Sequence, residues 1–122
     1  MIDTKMGVME SKFADIVWER EPISSSELVR IAAETFGWAR TTTHTVIKRL
    51  CDKEIFVNDK GTVSALVTKD EFFSLQSRNY VERSFAGSLP SFIAAFTNGR
   101  KLTAKEAEEI RRMIDEAEED GK

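Results

Sequence analysis

The sequence predicts a mainly α fold in which three short helices and a β-hairpin come first and three more helices follow. Apolar residues recur at helical spacing up to residue 54 and again after residue 68. Between them, residues 55–67 change to the composition and spacing of strands. Capping residues, glycines and a proline separate these segments. We therefore divide the chain of 122 residues into two regions, 1–68 and 69–122.

The first helix ends before a proline. Phe13, Ile16, Val17 and Trp18 recur at helical spacing and form its apolar face. The helix should stop by Glu21–Pro22, because the residue before a proline disfavours helical geometry.

The second helix is expected to begin with a capping box. In this motif the Ser24 hydroxyl and the Glu27 carboxylate each accept a hydrogen bond from the other residue's backbone amide. Gly37 follows at a position where a left-handed residue would end the helix, so the turn into the third helix should be short. The apolar residues between these ends are Leu28, Val29, Ile31, Ala32 and Phe36.

The third helix combines an apolar side with a polar side that is rich in hydrogen-bond donors. Thr43, Val46, Ile47 and Leu50 fall on one stripe when residues 38–50 are wound as an α-helix. The opposite side carries no carboxylate within these residues. Such a side is typical of a helix that lies on DNA, and an amphipathic helix with a solvated face is the alternative. The polar residues are Arg40, Thr41, His44, Thr45, Lys48 and Arg49.

The residue types predict two kinds of DNA contact. Basic side chains can neutralise phosphates or reach guanine edges in the major groove, and short hydroxyls can approach phosphates closely. We expect base-edge contacts from Arg40, His44 and Lys48. Phosphate contacts are expected mainly from Thr41, Thr42, Thr45 and Arg49.

Residues 55–67 predict a two-stranded hairpin that turns at Lys60–Gly61. Three helices and a hairpin wing make an N-terminal winged helix-turn-helix, in which the third helix enters the major groove of DNA. The hairpin tip, with Lys60 and Thr62, can then contact the adjacent phosphate backbone. A purely structural hairpin is the alternative.

Residues 69–122 predict a helical dimerisation region. Capping boxes at Thr68–Glu71 and Thr103–Glu106, a cap at Ser88, and Gly87 and Gly99 after helix ends delimit three helices. These helices carry more apolar side chains than they can bury alone, which indicates a partner surface, most simply a second copy. Packing of this region onto the first one is the alternative. The expected interface residues are Phe85, Leu89, Phe92, Ile93, Phe96, Leu102, Ile110, Met113 and Ile114.

Composition argues against an enzyme or a metal protein. With one His and one Cys, His44 and Cys51, the chain cannot supply four Cys or His ligands to a structural zinc ion or form an internal disulfide. Cys51 is expected to be a partly buried helix residue. The net charge of −3 lies in residues 101–122, because Lys+Arg and Asp+Glu balance before them. No signal peptide or membrane span is evident. We expect a cytoplasmic protein without cofactor or metal.

Several stretches together resemble a known family: residues 10–18, 26–28, 38–42 with Thr45, 48–50, 85–88, and 102–103 with Glu106. They are similar to the penicillinase repressors and copper-transport repressors. The resemblance implies a homodimeric repressor that binds inverted repeats in double-stranded DNA, its third helix, Arg40 to Arg49, reading each half-site. Thr43 stands where this family usually has an aliphatic residue, and we expect a threonine there either to loosen the helix packing slightly or to return its hydroxyl to the backbone.

The release signal stays open. Copper-responsive members have a cysteine-rich motif near the C-terminus, and this chain has no cysteine after Cys51. Penicillinase-type members are cleaved at an Asn-Phe bond when a membrane sensor protease system responds, and here residues 94–96 read Ala-Ala-Phe. Two other readings remain: a small-molecule-responsive winged-helix regulator and a winged-helix adaptor that binds protein.

Overall fold

The computed structural model describes residues 2–118, which form six helices and three strands. The mainly α class with an N-terminal winged helix-turn-helix is confirmed. Two compact units divide between Tyr80 and Val81. No helix in the described range is long and apolar enough to cross a membrane. In chain order the elements are α1 (Val8–Arg20), β1 (Ile23–Ser24), α2 (Ser25–Phe36), α3 (Arg40–Asp52), β2 (Phe56–Asp59), β3 (Thr62–Ala65), α4 (Lys69–Phe85), α5 (Leu89–Thr97) and α6 (Ala104–Ala117).

The ends of α1 and α2 follow from local chemistry. Helix α1 stops at Arg20, directly before the predicted Glu21–Pro22 boundary. Gly37 ends α2 in the left-handed conformation, with φ 71° and ψ 23°, as predicted. The capping box at the start of α2 is only half right. The Ser24 hydroxyl accepts from the Glu27 amide at 3.1 Å, but the Glu27 carboxylate binds the Arg30 guanidinium instead of the Ser24 amide.

The apolar stripe of α3 packs inward as predicted. Thr43, Val46, Ile47 and Leu50 are all buried. The Thr43 hydroxyl donates to the Ala39 carbonyl oxygen at 3.4 Å, so a polar group is accommodated in the core by a bond to its own helix. This stripe fixes which side of α3 faces outward.

The predicted hairpin is present, and a short strand joins it. Strands β2 and β3 pair antiparallel around Lys60 and Gly61, whose φ values of 53° and 92° suit a two-residue hairpin turn. Strand β1 pairs with the other side of β3, so the sheet order is β1-β3-β2. The sequence analysis missed β1 because two residues carry no periodicity.

The first turns of α4 belong to the first unit. Phe72 is 1% exposed, and its ring centroid lies 5.5 Å from that of Trp18. The Trp18 indole donates to the Val67 carbonyl oxygen at 3.0 Å, which holds the chain just before α4. The compact units thus divide inside α4, whereas the sequence division at residue 69 coincides with its start.

Residues ahead of α1 connect two distant elements of the first unit. Thr4 is 4% exposed; its carbonyl oxygen accepts from the Gln76 side chain at 2.9 Å and its hydroxyl from Asn79 at 3.1 Å, both on α4. The Asp3 amide donates to the Lys53 carbonyl oxygen at the end of α3, at 3.3 Å. This segment therefore ties α3 to α4.

In the second unit, capping residues set the helix ends. The Ser88 hydroxyl accepts from the Ser91 amide at 3.1 Å, and both hydrogen bonds of the Thr103–Glu106 capping box are 3.0 Å. Ala86 and Gly87, with φ values of 50° and 80°, end α4. No described residue of α5 or α6 is buried, so this unit leaves its apolar side chains partly exposed in a single chain.

Candidate nucleic-acid interface

The outward side of α3 is a continuous polar surface. Every side chain that the sequence nominated for DNA contact on this helix is exposed. We call this surface the α3 face and define it by Arg40, Thr41, Thr42, His44, Thr45, Lys48 and Arg49.

The α3 face begins at an uncapped helix end. Ala39 occupies the N-cap position, where its side chain cannot accept a hydrogen bond, and the first turn contains no acidic residue. Amides at a helix start carry partial positive charge and suit anions. Arg40 is the first residue of this turn, and neither its side chain nor that of His44 has a hydrogen-bond or ion-pair partner within residues 2–118. The start of α3 can therefore receive a phosphate or a base edge.

Farther along α3, the face ends with a carboxylate. Lys48 Nζ lies 3.0 Å from a carboxylate oxygen of Asp52, and both side chains are more than half exposed. The absence of carboxylates thus holds as far as Arg49, but the helix continues to Asp52. Exposed pairs of this kind are worth about 0–1 kcal/mol, so a phosphate could take the place of Asp52 at low cost.

Arg49 is held by a residue of another helix. Its Nη1 lies 2.9 Å from Glu10 Oε2 on α1, and Glu10 Oε1 lies 3.2 Å from Lys53 Nζ. Burial alone would raise the pKa of Glu10, but hydrogen bonds from Arg49, Lys53 and the Gly7 amide outweigh it and lower the pKa below its ordinary value. Sequence reasoning did not assign Glu10 or Lys53 to this site, because no local pattern pairs residues 39 positions apart.

The threonines of the α3 face are not equally available as donors. The Thr45 hydroxyl donates to the Thr41 carbonyl oxygen at 2.9 Å, so its proton is already used within the helix. Thr41 and Thr42 are exposed in the first turn, close in sequence to the uncapped amides. The predicted hydroxyl contacts are therefore best supported at the start of α3.

The hairpin tip presents the two predicted wing residues to solvent. Lys60 and Thr62 are both exposed. The Ser25 amide donates to the Gly61 carbonyl oxygen at 2.7 Å, which fixes the tip to the start of α2. The wing is thus anchored at its turn, and its basic side chain points away from the core.

In the second unit, most of the predicted interface residues meet in one apolar groove of about 340 Å³. Leu89, Phe96 and Ile114 are 58%, 48% and 58% exposed. Phe85 stacks edge-on against Phe92, with ring centroids 5.6 Å apart, and Met113 is 61% exposed. Thr97 was not predicted, and its hydroxyl donates to the Ile93 carbonyl oxygen at 2.8 Å. We call this surface the α5–α6 groove: Leu89, Phe92, Ile93, Phe96, Thr97, Leu102, Ile110 and Ile114.

The described residues offer little to reactive chemistry. Residues 2–118 contain no group of three or more His, Cys, Asp or Glu side chains arranged to hold a metal ion. Cys51 is half-buried, as expected, and burial, with a smaller effect of Asp52, raises the pKa of its thiol. A raised thiol pKa disfavours the reactive thiolate.

Comparison with known proteins identifies the family. The profile of the penicillinase repressor family matches residues 6–116. The penicillinase repressor of Bacillus licheniformis is 22% identical over 93% of this chain and 88% of its own length. The penicillinase repressor of Staphylococcus aureus is 22% identical over 92% of each chain. The methicillin resistance regulatory protein MecI of Staphylococcus aureus strain Mu50 is 23% identical over 86% of this chain and 89% of its own length.

The match covers both compact units, so it applies to the winged helix and to the helices that follow it. This chain belongs to the penicillinase repressor family, whose members are DNA-binding transcriptional repressors and not enzymes.

Proposed function

We propose that two copies of this chain form a repressor that binds an inverted-repeat operator, with each copy placing α3 in the major groove of one half-site. The observation that carries the proposal is the α3 face: an exposed, donor-rich helix side on a winged-helix core, with an uncapped start. The major groove of B-DNA is wide enough to admit an α-helix, and the winged helix presents its third helix there.

In the major groove of DNA, the side chains of the α3 face are assigned to contacts according to the intramolecular partners that they already have. Arg40 and His44 have no intramolecular partner in the described part of the chain, and Lys48 has only an exposed pair with Asp52. We assign these three to base edges, since a base contact requires a side chain that can leave its present position cheaply. The phosphate contacts are assigned to Thr41, Thr42 and Arg49, and to Thr45 if its hydroxyl exchanges the Thr41 carbonyl oxygen for a phosphate oxygen.

The wing supplies a second contact with the DNA backbone. Lys60 is exposed at a tip that the hydrogen bond from Ser25 to Gly61 holds in place. A cation on an anchored loop can reach the phosphates beside the groove without reading sequence. We therefore assign Lys60 and Thr62 to backbone contact.

Dimerisation is proposed through the α5–α6 groove. Its lining is apolar apart from Thr97, whose hydroxyl proton is used within α5. Exposed apolar surfaces of this kind are costly in water, and a twofold pair of chains would cover them. The same pairing would present two α3 helices to a palindromic site, which suits an inverted repeat.

Release from DNA would follow from disruption of the dimer that forms through the α5–α6 groove. The candidate route is cleavage by a partner membrane sensor protease system, and Ala94, Ala95 and Phe96 on α5 are all exposed. Cutting the chain there would separate α6 from the rest of the α5–α6 groove. Ala95, not an asparagine, directly precedes Phe96, so no particular bond is assigned.

The test is fluorescence anisotropy of the protein on its own upstream promoter fragment and on a scrambled fragment, at several salt concentrations. We expect selective binding that weakens steeply with salt. Each phosphate that the protein neutralises makes the slope of log K against log salt more negative by about 0.9. Sedimentation velocity on the same samples should show a dimer. A folded dimer without selectivity would contradict the repressor assignment, and a selective monomer would contradict the dimer.

A further inference from the structure

We propose that Glu10 is a positioning residue for DNA selectivity: it holds the Arg49 guanidinium at the edge of the α3 face and limits attraction to DNA of unrelated sequence. The inference rests on the proposed function, in which Arg49 contacts a phosphate. Neither residue lies near the other in sequence, and the ion pair that joins them links α1 to α3.

The two partners differ in exposure, which makes Glu10 the fixed member. The Glu10 side chain is 13% exposed and that of Arg49 is 52% exposed. Glu10 Oε1 is held by Lys53 Nζ at 3.2 Å and by the Gly7 amide at 3.3 Å, while Oε2 faces Arg49 Nη1. Lys53, 15% exposed, also donates to the Lys5 carbonyl oxygen. The carboxylate is therefore immobilised on one side and binds Arg49 on the other.

Arg49 can keep this bond while it binds DNA. A guanidinium has several N–H donors, and the pair with Glu10 uses one nitrogen, Nη1. The exposed half of the group is left for phosphate oxygens. A side chain that is already ordered loses less conformational freedom on binding. Glu10 therefore prepares Arg49 for one phosphate position.

The second effect of Glu10 is on charge. Its carboxylate offsets one of the two cations, Arg49 and Lys53, that it contacts. Without it, the edge of the α3 face would gain one positive charge and lose the bond that fixes Arg49. Attraction to DNA of any sequence depends on positive charge, whereas discrimination depends on where the side chains are held. Loss of Glu10 should therefore raise general affinity and lower selectivity.

The test compares Glu10→Gln with Glu19→Gln. Both changes remove one negative charge from α1, and Glu19 is exposed and makes no contact with Arg49. We expect Glu10→Gln to lower the ratio of scrambled-DNA Kd to operator Kd by about fivefold, as expected when the Arg49 side chain is no longer ordered before binding. Glu19→Gln should leave the ratio within about twofold. Equal ratios for the two variants would overturn the proposal.

A double-mutant cycle shows whether Glu10 acts through Arg49. In an Arg49→Gln background, Glu10→Gln should produce no further loss of selectivity, because the group that it positions is gone. A loss of the same size in both backgrounds would mean that Glu10 only supports the fold, and would overturn the proposal. If Glu10→Gln fails to give a cooperative urea transition, Glu10→Asp replaces it: the charge stays, the reach shortens, and selectivity should still fall.

The outcomes separate this inference from the proposed function. Absence of selective binding by the unchanged protein contradicts the repressor assignment. Selective binding that is unaffected by Arg49→Gln removes Arg49 from the interface and overturns the inference with it. Selective binding that depends on Arg49 but not on Glu10 overturns the inference alone.

Discussion

Side chains on the α3 face differ in the intramolecular contacts that they would lose on binding DNA. Arg40 and His44 lose only their own freedom of rotation, since neither has a partner within residues 2–118. Lys48 must leave an exposed carboxylate, whereas Arg49 can keep Glu10. These differences rank the residues by the free-energy cost of leaving their present contacts, and they support the division between base contacts and phosphate contacts.

His44→Ala should change the preference among operators that differ by one base pair, by about 1 kcal/mol at a single position. The ring nitrogens of an imidazole can form hydrogen bonds with a base edge, and the salt dependence of binding comes from phosphate contacts rather than base contacts. Affinity for scrambled DNA and the salt slope should therefore stay the same. Competition anisotropy with single-base operator variants measures this, and Thr35→Ala, an exposed change on α2, is the control. Equal weakening on every sequence would contradict base contact by His44.

Glu10 should make the folded state sensitive to acid. Burial opposes its charge, but hydrogen bonds from Arg49, Lys53 and Gly7 lower its pKa below the ordinary 4.5. A carboxyl with a lowered folded-state pKa contributes stability above its unfolded pKa, and this contribution is lost as pH falls through the folded pKa. Urea unfolding of the unchanged protein and of Glu10→Gln should thus give free energies that differ at pH 7 and converge below pH 4.5.

The comparison with Glu10→Gln isolates one carboxyl. Hydrogen bonds from Thr68 lower the pKa of Glu71, and hydrogen bonds from Arg100 and Thr103 lower the pKa of Glu106. Both carboxyls are present in the two proteins. Their contributions should cancel in the difference. A difference in unfolding free energy that is constant from pH 7 to pH 3 would assign the lost stability to packing rather than to charge.

Among the elements, the turn between α2 and α3 sets the direction of the α3 face. Gly37 has a φ of 71°, and a Cβ built there would meet no atom within 4 Å. Gly37→Ala should thus cost about 1 kcal/mol of unfolding free energy, because only the backbone conformation opposes it. Gly99 is a matched control: its φ lies outside the left-handed region, and a Cβ built there would also meet no atom within 4 Å. Urea denaturation should show the loss for Gly37→Ala and none for Gly99→Ala.

Helix α4 begins as part of the winged-helix core. Phe72→Ala should reduce the unfolding free energy by about 3–5 kcal/mol, since it removes a fully buried ring beside Trp18. Phe73→Ala, at a residue 39% exposed on the same turn, should cost much less. Trp18 fluorescence during urea unfolding reports on this unit directly. Equal and small losses for both variants would remove Phe72 from the core.

The elements that could be predicted were those with local signals. Gly37, the Lys60–Gly61 turn and the cap at Thr103 each depend on residues a few positions apart, and the structure has all of them. Strand β1 could not be predicted, because it exists only through pairing with β3 far along the chain. The assignment of the start of α4 to the first unit could not be predicted for the same reason. In the sequence Phe72 is an ordinary apolar helix residue, and only its contact with Trp18 places it in the first unit.

The same rule applies to the candidate site. The α3 face could be read from periodicity, because burial of Thr43, Val46, Ile47 and Leu50 fixes the helix orientation. The ion pair between Glu10 and Arg49 could not, since it depends on how α1 and α3 lie in space. The Lys48–Asp52 pair spans one helical turn, a spacing that the sequence shows, but it lies beyond residues 38–50, on which the prediction of the α3 face depends.

At the scale of the whole molecule, the proposed dimer predicts that a change in the α5–α6 groove weakens binding at the α3 face. Ile114→Glu should give a folded monomer, because Ile114 is 58% exposed and contributes little to the fold of one chain. Operator affinity should fall by about a hundredfold or more, because a monomer binds each half-site separately and loses the gain of bivalent binding. Sedimentation velocity and anisotropy measure both effects. Ser91→Glu adds the same charge at an exposed residue of α5 outside the α5–α6 groove and should leave a dimer.

We expect the segment ahead of α1 to make the first unit open cooperatively. Thr4 receives hydrogen bonds from two side chains of α4, and the neighbouring Asp3 amide reaches the end of α3. These hydrogen bonds join the N-terminal segment, α4 and the end of α3. Local opening of the N-terminal segment therefore breaks bonds to both helices. Backbone amides at the end of α3 should therefore exchange with deuterium as slowly as those of the core. A Thr4→Val protein should lose this protection there first, although the substitution lies 49 positions earlier in the chain than Lys53.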